Sequence, residues 1–261
     1  MSELAYLYAV APSGARPPEG LRGVADAPVR ALEHDGLAAV WSPVPAADFD
    51  EEPLRAHLED IGWLERTARA HQEVVDAVSA GGSVLPLRMA VVYRDEDGVR
   101  RMLADDHDRL TGSLDRLKGL IEWGVKVYLE ERVAEAGPAS EPSGERPAAR
   151  PEGRPSGRDY LRQRVRRNER KEQVWELTSR ACRLLHAQLS QVAEADRLLR
   201  PQDGELAAAD GRNVLNASYL VAREREDEFL TCARESSLPG VRVEVNGPWA
   251  PYSFAAPEAV R

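Results

Sequence analysis

Apolar residues run almost unbroken from 4 to 10 (Leu-Ala-Tyr-Leu-Tyr-Ala-Val), which predicts a first strand buried on both faces. Residues 29–33 and 37–41 flank Asp35-Gly36. That dipeptide favours the type I′ turn of a two-residue hairpin. Helical spacing then carries Leu54, Leu58, Ile61, Leu64, Ala68, Val75 and Val78 from a cap at Asp48 or Asp50 to Gly81-Gly82, predicting one helix with Gly62 inside it or at a bend. Residues 84–93 read as a strand in which Pro86 restricts pairing. A second helix carries Val99, Leu103, Leu110, Leu114 and Leu117. The order β-β-β-α-β-α defines an α+β domain over residues 1–119.

A second domain is expected over residues 120–246. Its first strand alternates over 122–130, with Val125, Val127 and Leu129 inward. Residues 137–157 follow, and twelve of these 21 are Pro, Gly or Ser, too few apolar groups to offset ordering entropy, so a disordered surface loop is expected. A helix over 158–200 is predicted to end at Pro201. Its expected apolar seam runs through Leu161, Val165, Val174, Leu177, Ala181, Leu184, Leu185, Gln188, Val192, Ala195 and Leu199. A strand at 214–221, a short helix at 223–236 and a strand at 241–245 complete β-α-β-α-β, close to a ferredoxin-like split βαβ arrangement.

Residues 247–261 form a tail that the pattern assigns to neither helix nor sheet. Pro248 and Pro251 remove backbone donors, so the tail should run extended over a surface. Trp249, Tyr252 and Phe254 are costly to leave in water. They are expected to dock in a groove between the domains, with insertion into a partner as the alternative. Trp41, Trp63, Trp123 and Trp175 are expected in the core or at a domain interface.

At 261 residues the length fits two domains, and a net charge of −9 argues against a general attraction to nucleic acid. Cys182 and Cys232 are too few for a disulfide scaffold and suit a reducing cytosol as small buried side chains. Residues 1–5 lack a basic leader, and no apolar run approaches the roughly 20 residues of a membrane span, so a cytoplasmic protein without a membrane contact is expected.

Candidate chemistry is sparse. Asp105-Asp106-His107-Asp108 offers four ligand types, but consecutive helical residues point about 100° apart and cannot converge on an ion. His57 and His71 would lie roughly 21 Å apart along one straight helix. No nucleophile elbow or phosphate loop occurs. The expectation is no enzyme, no metal and no cofactor. The one strong charge feature is basic: Arg162, Arg164, Arg166, Arg167, Arg170 and Lys171 spread around the start of the long helix, leaving Leu161 and Val165 for the core. It reads either as a solvated helix start paired with Glu169 and Glu172, or as a dock for a polyanion such as nucleic acid; cations at a helix N-terminus oppose its dipole.

Six segments, in order, resemble the gas vesicle GvpF/GvpL family. They are the opening strand at 4–10, His71-Gln72-Glu73-Val74 leading to Val84-Leu85-Pro86-Leu87-Arg88-Met89, and Glu122-Trp123-Gly124-Val125-Lys126. Gly157-Arg158-Asp159-Tyr160-Leu161, Leu215-Asn216-Ala217-Ser218-Tyr219-Leu220-Val221, and the tail from Gly247 to Phe254 follow. Ala250 and Met89 depart from the family's usual Pro and Phe. The resemblance implies two α+β domains, the second ferredoxin-like, in a minor non-catalytic protein. It implies that this protein helps to assemble the vesicle shell through contact with the small shell protein and other gas vesicle proteins. Trp249, Tyr252, Phe254 and the six cations are the candidate contact residues, and the competing class is a nucleic-acid or polyanion binder.

Overall fold

The computed structural model describes residues 2–129, 157–200, 212–235 and 241–255. The chain forms two compact units, one of Met1–Glu122 with Leu220–Arg223 and Gly247–Arg261, the other of Trp123–Tyr219 with Glu224–Asn246.

The first unit is built on an antiparallel sheet in the order β2-β3-β1-β4. β1 (Glu3–Pro12) is an inner strand, buried from Ala5 to Ala11, as its continuous apolarity predicts. β2 (Arg30–His34) and β3 (Leu37–Pro45) form the expected hairpin, with positive φ at both Asp35 and Gly36 as a type I′ turn requires. β4 (Leu85–Tyr93) is an edge strand, where Pro86 can lack an N–H without breaking a ladder. Its register against β1 jumps from Leu7↔Val91 to Ala9↔Pro86, so a bulge loops out residues 87–90, with Ala90 at φ 67°.

After a short α1 (Ala46–Phe49), the helix expected from a cap at Asp48 or Asp50 to Gly81-Gly82 starts at Asp50 but is two, α2 (Glu51–His57) and α3 (Ile61–Ser79). Two aspartates set the starts, and the second breaks the helix. Asp50 accepts from Glu51 N, and extended Asp60 accepts from Gly62 N at 2.8 Å and Trp63 N at 3.2 Å, starting a new helix with Gly62 in its first turn. α3 turns Thr67, His71, Val74, Val75 and Val78 inward. The second expected helix is likewise split, into α4 (Glu96–Asp105), capped by Asp95 on Gly98 N, and α5 (His107–Arg116).

The second sheet has the order β6-β7-β5-β8, from β5 (Leu120–Leu129), β6 (Ala195–Leu198), β7 (Arg212–Ala222) and β8 (Val241–Trp249). With α6 (Gly157–Val192) and α7 (Glu226–Glu235) the chain order is βαββαβ, the ferredoxin-like pattern. The strand missing from the sequence pattern is β6. The long helix does not reach residue 200; it ends at Val192, whose carbonyl accepts from Arg225 Nη1 at 2.9 Å. Ala195–Leu198 then alternates half-buried and exposed, and Leu199 N continues the edge by donating to Asn216 O at 2.8 Å. The expected loop at 137–156 lies outside the described residues, and Gly157 opens α6.

The tail also differs from expectation. β8 does not stop at Val245 but runs through Gly247 and Pro248 to Trp249, and Tyr252–Phe254 closes into a 3-10 turn. The sequence period of 2 disappears at Asn246-Gly247-Pro248, which hid the continuation.

Candidate interaction surfaces

The tail is bolted to the first unit at its second half. Ala250 and Phe254 are buried and Tyr252 packs against the core around Tyr6, Tyr8, Phe49 and Val74. Polar contacts fix the turn. The Glu122 carboxylate accepts from both Ser253 N at 2.8 Å and Ser253 Oγ at 2.5 Å, and Arg116 Nη2 donates to Phe254 O at 2.8 Å. Glu122 is itself buried, so these charge-assisted bonds work in a weakly screened setting. The three aromatic candidates therefore part company. Phe254 is in the core, Tyr252 is half-buried, and Trp249 stands 41% exposed. Burial pushes the Tyr252 phenol well above its usual pKa, and its buried hydroxyl has no hydrogen-bond partner among the described residues.

Beneath the tail lies a polar network that the sequence did not announce. His71 Nε2 is 3.1 Å from Leu87 O, an oxygen that can only accept, so Nε2 carries the proton and Nδ1 accepts from Tyr6 O–H at 3.0 Å. Ala90 N in turn donates to Tyr6 Oη at 3.1 Å. The two side chains thus satisfy backbone groups released by the β4 bulge. Desolvation holds His71 down to about 4, opposed by its bond to Leu87 O, so the ring is neutral. Structural support of the bulge accounts for it. His57 sits elsewhere, stacked on Trp63 with ring centroids 5.0 Å apart.

α6 supplies a second surface. Its buried face is Val174, Thr178, Cys182, Leu185, Leu189 and Val192, which keeps Val174, Leu185 and Val192 of the expected seam but not Leu177 or Leu184. His186 Nδ1 and Tyr219 Oη meet at 2.8 Å across to β7. Turned about 90° around the axis, at 100° per residue, lie Leu177, Ala181, Leu184 and Gln188. Leu177 and Leu184 are 61% and 60% exposed. Val165, assigned to the core from sequence, is also exposed. A groove of about 860 Å³ runs beside Leu184 between α6 and α7, with Thr231 and Cys232 in its wall and Glu228 and Glu235 lining it. The signal was present: the helix carries apolar residues over a wider arc than one packed face uses.

All six cations of the basic run lie on α6. Arg164 is exposed; the side chains of Arg162, Arg166, Arg167, Arg170 and Lys171 lie outside the described set. Among the described residues no group of three His, Cys, Asp or Glu side chains is placed to hold a metal, and no helix is long and apolar enough to cross a membrane. Asp106 and His107 fall at the α4–α5 junction, where Asp106 holds Arg109 and His107 reaches Asp35 O. Cys182 and Cys232 form no disulfide, and burial pushes the Cys182 thiol up to about 11, away from reactivity.

Two α+β units, the second ferredoxin-like, define a fold class with solved relatives. GvpF from Anabaena sp. PCC7120 superposes with a TM-score of 0.69 at 19% identity, over 99% of this chain and 98% of that one. GvpF from Microcystis aeruginosa gives 0.65 at 19% identity, over 98% and 100%. A family model described as gas vesicle synthesis protein GvpL/GvpF matches residues 4–256, and the chain belongs to that family. It is 50% identical to gas vesicle protein L of Streptomyces sp. (strain CB03234), over 97% of this chain and 92% of the relative. To gas vesicle protein F of the same strain it is 29% identical, over 95% and 98%. Its role is in gas vesicle formation.

Proposed function

We propose that the protein acts in gas vesicle formation by protein–protein contact, binding the small shell protein and other gas vesicle proteins without catalysing a reaction. The exposed apolar stripe of α6 supports this most directly. Leu177 and Leu184 stand one above the other seven residues apart, beside an open groove, on a helix whose other face already fills its own core. A helix in that position offers i, i+4, i+7 anchors to an apolar segment of a partner. The exposed ring of Trp249 and the basic run remain candidate contacts on other surfaces.

Co-purification of the tagged protein with the other gas vesicle proteins tests the proposal. The doubly substituted Leu177→Glu/Leu184→Glu protein should melt within a few degrees of the parent, because both side chains are exposed, yet lose the shell protein. Undiminished capture by this variant moves the contact elsewhere. Failure of the parent to capture any gas vesicle protein, together with tight binding of single-stranded RNA at physiological salt, replaces the proposal with a polyanion-binding role.

A further inference from the structure

A cleft of about 740 Å³ opens in the first unit where four passages of chain meet: the turn after α3, the turn between α5 and β5, the end of β7, and the tail. Its lining carries two cations, Lys118 and Arg223, brought together by the bond from Arg223 N to Gly119 O at 3.1 Å. Both are exposed, and neither has an acidic partner among the described residues. The lining also includes Pro248, Trp249 and Pro251 of the tail, and Trp249 is 41% exposed. Gly82 and Gly119 leave the backbone uncovered: a Cβ at either would meet nothing within 4 Å. The one acid in the lining, Asp76, accepts from Gln72 Nε2 at 2.8 Å, and desolvation raises its pKa while that bond lowers it.

Two exposed cations against one hydrogen-bonded carboxylate, in a chain of net charge −9, are a local inversion of sign, and inversions of that kind select a partner's charge. An aromatic ring between two prolines is a rigid plate with little rotamer entropy to lose on contact. We propose that this cleft binds an acidic, extended peptide segment of a partner protein, its carboxylates on Lys118 and Arg223 and an apolar side chain against Trp249. This builds on the interaction role argued above but concerns a different surface from the α6 stripe.

The test uses the full chain and a fluorescein-labelled peptide alternating glutamate and leucine, read by anisotropy at two salt concentrations. The same peptide with lysine in place of glutamate serves as control. The parent should bind the acidic peptide, more weakly at higher salt, and ignore the basic one. Lys118→Glu/Arg223→Glu should weaken binding at least tenfold with an unchanged melting curve, since both side chains are exposed. Trp249→Phe should abolish the blue shift of tryptophan emission that binding produces. No binding by the parent, equal binding of the basic peptide, or full binding by the charge-reversed variant would each overturn the proposal. Displacement of the peptide by a single-stranded RNA of equal length that itself depends on Lys118 and Arg223 would overturn it in favour of nucleic acid. In any of these cases, retained capture of the shell protein by the parent leaves the interaction role standing and removes only the cleft.

Discussion

His71 couples the first sheet to pH through one ring. Its Nδ1 must be bare to accept from Tyr6, whose oxygen already accepts from Ala90 N, so protonation would set two donors against each other. Tyr8 and Tyr252 rings also face it, at centroid distances of 5.4 and 6.4 Å, and offer no negative charge. With the folded value near 4 and a free value near 6.5, the unfolded chain binds the extra proton first. The contribution is therefore complete above pH 6.5 and is lost as pH falls towards 4. The gap corresponds to about 3 kcal/mol at most. Urea midpoints measured from pH 7 to 4 should fall more steeply in the parent than in His71→Phe; parallel slopes would show that His71 does not titrate in this window. Glu122 is the other single residue on which much rests, because both of its oxygens hold Ser253. Glu122→Ala should cost about 2 kcal/mol, as buried charge-assisted bonds do, read as a lower urea midpoint than the parent's.

At the level of elements, periodicity predicted strands and helices well and their junctions poorly. β1, the Asp35-Gly36 hairpin, β4, β5 and β7 were legible because an apolar run or a turn dipeptide specifies each locally. The cap at Asp50 was legible, but the breaks at Asp60 and Asp106 were not, since the apolar spacing runs straight through them and only the local backbone geometry separates the helices. β6 was hidden for a related reason. Ala195-Asp196-Arg197-Leu198 has too few apolar residues to show a period of 2, and its place beside β7 comes from partners remote in sequence. The α6 seam was right at Val174, Leu185 and Val192 and wrong at Leu177 and Leu184, because these belong to the same apolar arc and composition does not say which edge of that arc meets the sheet. In the tail the aromatics were correctly singled out, but not their division of labour. Trp249→Phe should remove a red-shifted, easily quenched component from the protein's emission, given its exposure; loss of a blue component instead would mean the ring is covered in solution.

For the molecule as a whole, the compact units are not contiguous in sequence, and that has a consequence for any attempt to cut them apart. The first unit draws Ala250, Tyr252 and Phe254 into its core from the far end of the chain, and Glu122 finds both its bonding partners on Ser253. Residues 1–122 alone would leave a buried carboxylate unpaired and an apolar surface uncovered. Burying Phe254 contributes about 2 kcal/mol and the Glu122 bonds contribute a similar amount. Together they come close to the low end of the roughly 5–15 kcal/mol that separates folded from unfolded states. A protein of residues 1–122 should therefore melt broadly and at low temperature. The same residues joined to 247–261 by a long flexible Gly-Ser linker should regain a cooperative transition, because the linker restores the segment at high local concentration. Replacing Phe254 and Ser253 with alanine in the linked protein should return it to the behaviour of 1–122. Equal melting of all three proteins would show that the tail adds nothing to the fold of the first unit, and would return its aromatic residues to the list of surfaces kept for a partner.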